Sequence, residues 1–177
     1  ISADEIAHAI TETDQHVITE IRRTFGKDIY ESNGHLSRKR LAAIVFADAV
    51  LKKKLDAIVH PQVFLSIEQH LAEMPEANLR PYVVIEAALI FESGLNRKLD
   101  HVIVVDALEE TRVERVMKRD ACSREEVLQR IRSQMPAPAK VAKADFVLLN
   151  EHQPSELAPK VAFIDSVLRS MVAPQTE

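Results

Sequence analysis

Three glycines in 177 residues, Gly26, Gly34 and Gly94, are too few and too widely spaced to build a loop that cradles phosphate. Neither G-x-x-x-x-G-K-[ST] nor G-x-G-x-x-G can be assembled from them, and both depend on clustered glycines that let backbone amides approach a polyphosphate. Cys122 is the only cysteine, which excludes an internal disulfide and agrees with a reducing, cytoplasmic setting. No apolar run approaches the roughly 18 residues of a membrane span, so no membrane partner is expected. The formal net charge of −4 lacks the basic excess of a nucleic-acid binder. The chain start has no basic region followed by an apolar run, which excludes a recognisable secretory signal. The seven histidines show no metal-ligand spacing beside cysteines, and no protein-held metal site is expected. G-x-S-x-G is absent, and Cys122 lies in a charged turn without an evident partner, so neither offers a nucleophile.

What is present has the make-up of a globular protein, 46% apolar, of a size for one domain or a core with a small inserted lobe. The first part reads as helical. Val17, Ile18, Ile21 and Phe25 recur at helical spacing and Gly26 is a natural stop. Asn33-Gly34 reads as a turn, and Ser37 can cap a helix carrying Leu41, Ile44 and Val45. Leu51, Leu55, Ile58 and Val59 mark another helix, expected to end near His60-Pro61, and Ile67, Leu71 and Met74 belong to a third. After Pro75 the pattern changes. Tyr82–Ile85, Val102–Val105 and Phe146–Leu149 are short apolar runs rich in β-branched residues, with helical stretches between them. That alternation predicts an α/β protein with a parallel sheet covered on both faces. Leu157, Val161, Ile164, Leu168 and Met171 form one stripe on a last helix that would pack on the sheet.

Each strand-like run ends in a polar residue, Glu86, Asp106 or Asn150, and the opening fragment ends in Asp4. In open parallel sheets ligands bind beyond the carboxyl ends of the strands; strands also commonly end in something polar. Arg112, Arg115 and Arg119 share a helix face, and a capping box at Ser123–Glu126 starts a further helix bearing Arg130 and Arg132. Two arginine-rich helices joined by a short turn suit a mobile cover over polyphosphate, or else a solvated face. Asp4 is placed to act as a general base or as a helix cap. Glu86 could hold Mg²⁺ through water, orient an acceptor hydroxyl, or simply face solvent. His60, just before Pro61, fits a structural hydrogen bond at a helix boundary.

The ordered series Ser2-Ala3-Asp4, Phe25-Gly26, Asn33–Arg38, Leu41–Phe46, His60-Pro61, Leu89–Gly94, Arg115–Asp120, Arg130–Gln134 and Ala144-Asp145 with Asn150 resembles dephospho-CoA kinases. The resemblance runs from residue 1 to about residue 150. It implies a three-layer, parallel-sheet P-loop NTPase core of the nucleoside-monophosphate-kinase type, with five strands, a helical substrate lobe and a lid. The core would comprise residues 1–9 and 76–177, including a lid over about 115–140, and the CoA-binding lobe residues 10–75. The implied reaction is phosphorylation of the 3′-hydroxyl of dephospho-CoA, with ATP as co-substrate and Mg²⁺ as cofactor, by a monomer or weak homo-oligomer.

By the same resemblance Asp4 is the general base, and Arg119 joins it in the catalytic set. Arg115, Arg119, Arg130, Arg132 and Asn150 hold the nucleotide, and Arg38, His60 and Glu86 serve the acceptor. Members of the family often carry Asp, Arg and Pro where this chain has Ser2, His8 and Ala88. They also open with a strand and a Gly-rich loop, which the register places about 30 residues ahead of Ile1. The expectation is an enzyme whose loop-bearing segment lies outside these 177 residues. A nucleotide- or CoA-binding pseudokinase, or a related kinase with another acceptor, are the alternatives.

Overall fold

In the computed structural model, residues 1–75, 81–151 and 154–172 are described. The chain divides into two units, Ile1–Leu79 with Val84–Ala88, and Arg80–Val83 with Leu89–Glu177.

The first unit is built on local capping. Helix α1 (Ala3–Thr13) and helix α2 (Gln15–Phe25) meet at one residue, Asp14. Its N–H donates to the Ile10 carbonyl at 3.0 Å, closing α1. Its Oδ1 accepts from the His16 and Val17 amides at 2.8 and 3.0 Å, opening α2. An aspartate satisfies orphan donors at a helix start in this way. Gly26 ends α2 at φ 96°, a conformation costly for residues with a Cβ. A hairpin follows in which Tyr30 and Leu36 pair across the Asn33-Gly34 turn, and the buried Tyr30 hydroxyl donates to the Thr11 carbonyl at 2.9 Å.

Helix α3 (Arg38–Ala47) begins after Ser37, but the Ser37 side chain makes no capping bond. Ser37 is buried instead, and its N–H closes the hairpin onto the Ile29 carbonyl at 2.8 Å. Helix α4 runs unbroken over 24 residues, Ala49–Ala72, opened by Asp48. The expected break at His60-Pro61 does not occur. Pro61 has no N–H to give the Ala57 carbonyl, so the ladder loses one bond there and continues. Helices α1, α2 and α3 all pack on α4. Val17, Ile18 and Ile21 of α2, Leu41 and Val45 of α3, and Val59, Val63 and Ile67 of α4 supply the buried core.

The expected strand Tyr82–Ile85 is not formed as a ladder. Among the described residues, the pairing here is an isolated parallel bridge, Ser2 to Glu86. It is made by Ile1 N to Val84 O (2.9 Å), Glu86 N to Ile1 O (2.8 Å) and Ala3 N to Glu86 O (2.9 Å). Beyond Glu86 the pairing ends where the partner turns into α1 at Ala3.

The second unit carries strands β1 (Ile103–Asp106) and β2 (Phe146–Leu149), parallel and in register from Ile103↔Phe146 to Asp106↔Leu149. Their long crossover holds helices α5 (Glu109–Asp120), α6 (Arg124–Arg132) and α7 (Ala137–Val141). Parallel strands require such a crossover. Helix α8 (Pro154–Val172) packs on β2, with Ile164 buried, while Val161 and Met171 of the expected stripe are exposed. The described residues thus show a two-stranded parallel sheet and one parallel bridge where five strands were expected.

Candidate active site

In the first unit, the carboxyl end of the short parallel pairing gathers Ser2, Asp4 and Glu86. Ser2 caps α1: its Oγ accepts from the Glu5 amide at 3.3 Å and donates to Glu86 Oε2 at 3.1 Å. Asp4 stands in the first helical turn, where the helix dipole favours an anion. Its carboxyl nevertheless has a raised pKa. Partial burial of the carboxyl is the main cause, and the Glu86 charge adds to it; an N–H from Ala88 pulls the other way. A carboxylate with raised proton affinity next to a second carboxylate is a stronger base than one in water.

Arg38 opens α3 and is exposed. His60 lies midway along α4, half-buried, with Nε2 3.7 Å from Asp56 Oδ1 and its ring stacked on Phe64 at 6.4 Å between centroids. Burial drives its pKa below the ordinary 6.5, Asp56 opposes that and Lys52 reinforces it, so the ring favours the neutral form. His60 is therefore a residue within a helix, not at a helix boundary.

In the second unit the arginines occupy distinct sites. Arg112 is tied to Asp106 at the end of β1 (3.1 Å), and its Nε is buried without a hydrogen-bond partner. Arg115 donates to the main-chain oxygen of Asn150, just past β2, at 2.6 Å, bringing together two residues picked out by sequence. Arg119 Nε and Arg130 Nη1 grip opposite oxygens of Asp120 at 2.7 and 2.8 Å. Those bonds, Arg119's first, hold Asp120 down at about 2. Arg132 pairs with Glu125 on its own helix, at 3.4 Å.

The turn between α5 and α6 places Ala121 at φ 49°, which folds α6 back on α5. Arg124 then binds Glu110 through two bonds of 2.5 and 2.8 Å. The predicted capping box is present, with Ser123 N to Glu126 Oε2 at 2.8 Å and Glu126 N to Ser123 Oγ at 3.3 Å. The arm is therefore a braced helical pair. Arg119 and Arg130 already converge on an anion, and a phosphate can replace the carboxylate between them.

Asp120, Asp106 and Ser2 were not singled out for these roles by sequence. For Asp120 the signal was there: it directly follows Arg119 and opens the turn before the capping box. Among the described residues no group of three or more His, Cys, Asp or Glu could hold a metal ion.

The dephospho-CoA kinase family profile matches residues 1–156. The chain belongs to the dephospho-CoA kinase family. Its members are phosphotransferases that use ATP and take dephospho-CoA as acceptor. The chain is 38% identical over 160 residues to a dephospho-CoA kinase of Anaeromyxobacter dehalogenans, covering 90% of this chain and 75% of that one. It is 37% identical over 161 residues to that of Geobacter sulfurreducens, covering 91% and 81%. A crystal structure from Thermus thermophilus superposes with TM-score 0.75 at 35% identity, covering 93% of this chain and 83% of the other. The dephospho-CoA kinase from Campylobacter jejuni gives TM-score 0.64 at 30% identity, covering 96% and 85%. The fold is thus that of the P-loop-type α/β kinases. Among the described residues no helix is long and apolar enough to cross a membrane.

Proposed function

We propose that this chain carries the acceptor base and the nucleotide-gripping arginines of an enzyme that phosphorylates the 3′-hydroxyl of dephospho-CoA. Asp4 accepts the hydroxyl proton as the 3′-oxygen attacks the γ-phosphorus of ATP. The bond from that phosphorus to the β,γ-bridging oxygen breaks, and ADP leaves with Mg²⁺. Glu86 orients the acceptor through its neighbourhood with Ser2 and Asp4. Arg38 and the neutral His60 contact dephospho-CoA from the lobe of residues 10–75. In the arm of residues 115–140, Arg119 and Arg130 leave Asp120 for phosphate oxygens and offset charge as it develops. Arg115, Arg132 and Asn150 complete the nucleotide contacts. The enzyme works in the cytoplasm as a monomer or weak homo-oligomer.

The observation that carries this reading is the place of Asp4, partly buried in the first turn of α1 beside Ser2 and Glu86, where burial and the Glu86 charge raise its proton affinity. A phosphoryl-transfer site places its base where the attacking hydroxyl must lose a proton. The 177 residues contain no G-x-x-x-x-G-K-[ST] loop, so the test uses the full-length gene product. That protein, mixed with Mg-ATP and dephospho-CoA, is expected to give CoA, identified by mass spectrometry as the acceptor plus one phosphoryl group. Folded full-length protein that makes none overturns the proposal, and faster phosphorylation of a nucleoside monophosphate assigns it another acceptor.

A further inference from the structure

The segment Leu89–Gly94 helped to identify the family, yet the reaction as derived uses nothing from it. Its Glu92 is a largely buried acid of the second unit. The side chain is 17% exposed, and its partner Lys140 is 16% exposed. Glu92 Oε1 accepts from the Met135 amide at 2.7 Å and from Lys140 Nζ at 3.0 Å. Met135 lies in the short return between α6 and α7, and Lys140 lies on α7. The α5–α6 arm leaves β1 through Arg112 on Asp106 and Arg115 on Asn150, and it returns to the unit at the residue Glu92 holds. Between those two ends the helices are tied to each other by Asp120 and by the Arg124–Glu110 pair. Were such an arm to move, these ties would make it turn as one body about its ends.

We infer that Glu92 and Lys140 form the return-side pivot of the arginine-bearing arm, and that Glu92 is a positioning residue for ATP. This rests on the kinase reading above. Arg132 lies three positions before Met135 and Arg130 five, so a shift of the held amide passes directly to both guanidinium groups. The second carboxylate oxygen points the same way. Glu92 Oε2 is buried and has no hydrogen-bond partner. An idle oxygen beside an occupied one lets the Lys140 ammonium pass from one to the other while the Met135 amide stays held. The arm then turns without breaking the ion pair. Burial favours the neutral acid, but the Met135 amide, Glu92's own backbone N–H and Lys140 together outweigh it, so the carboxylate is held charged.

The test is Glu92→Gln in the full-length protein, which keeps an acceptor for Met135 and removes the charge from Lys140. The expected result is at least a tenfold fall in kcat/KM for ATP and a similar weakening of ATP binding by calorimetry. KM for dephospho-CoA should stay within twofold, and Lys140→Gln should reproduce the pattern. A brace without a positioning role would lower the melting temperature and leave both ATP parameters unchanged at 25 °C, which overturns the inference. If Glu92→Gln does not fold, Lys140→Gln decides, and wild-type ATP parameters in that variant overturn it equally. If wild type binds ATP but forms no CoA, the functional reading fails while the binding comparison still judges the pivot. Wild type that binds no ATP overturns both.

Discussion

Replacing Asp4 by asparagine removes a charge and a proton acceptor while keeping the shape of the side chain. If Asp4 takes the proton of the attacking hydroxyl, its loss should lower kcat by about 10²–10⁴, the usual contribution of a positioned base. At 1.36 kcal/mol per factor of ten, that is about 2.7–5.4 kcal/mol added to the barrier. Both KM values should change little, because an asparagine still fills the site. Stability should move the other way. The folded pKa of Asp4 is raised above its ordinary 3.8, so the carboxyl favours folding fully only below pH 3.8. That contribution is lost as pH rises through the folded value, and at neutral pH the ionised group is a burden. Asp4→Asn should therefore melt at or above wild type at pH 7, and the difference should vanish toward pH 3. The assays are steady-state kinetics with both substrates varied, and calorimetric unfolding across pH. Unchanged kcat refutes the base role. A parallel loss of kcat, substrate binding and melting temperature would make Asp4 a structural helix-start residue.

Two further variants test the local physics. Ser123→Ala removes the hydroxyl that accepts from the Glu126 amide, and should destabilise the protein by about 1 kcal/mol in urea unfolding, with Ser123→Gly costing only a few tenths. Pro61→Ala restores the missing donor inside α4 and should stabilise by up to about 3 kcal/mol; a loss would mean that the proline sets a helix shape the first unit needs.

Features set by neighbours in sequence were legible from the residues, whereas features set by distant partners were not. Gly26 as a stop, the Asn33-Gly34 turn and the Ser123–Glu126 box depend on a few consecutive residues, and all three appear in the structure. Ser37 had the right residue type, but the residue is buried where its N–H closes the hairpin onto Ile29, eight residues back, and its side chain makes no capping bond. Pro61 misled for an energetic reason. One interior proline costs about 3 kcal/mol, while burying Val59, Val63 and Ile67 against three other helices contributes about 1.5–3 kcal/mol each. The packing outweighs the break, and the helix continues.

The same distinction runs through the candidate site. The arginine stripe could be read from spacing, but not what each guanidinium would hold. Arg115 reaches a carbonyl 35 positions later, and Arg130 reaches Asp120 only because Ala121 turns the chain through a left-handed conformation. Glu92 is the extreme case, since its amide partner Met135 is 43 residues away and no local pattern joins them. Tyr82–Ile85 shows the converse. A β-branched run states a preference for extended backbone, but which segment it pairs with is set at a distance, and here it is met by Ile1–Ala3 through three bonds. Sequence thus marks which residues can bind phosphate or take a proton. What fixes their aim, the counter-charges at Asp106, Asp120 and Glu92, emerges only once separate segments are brought together.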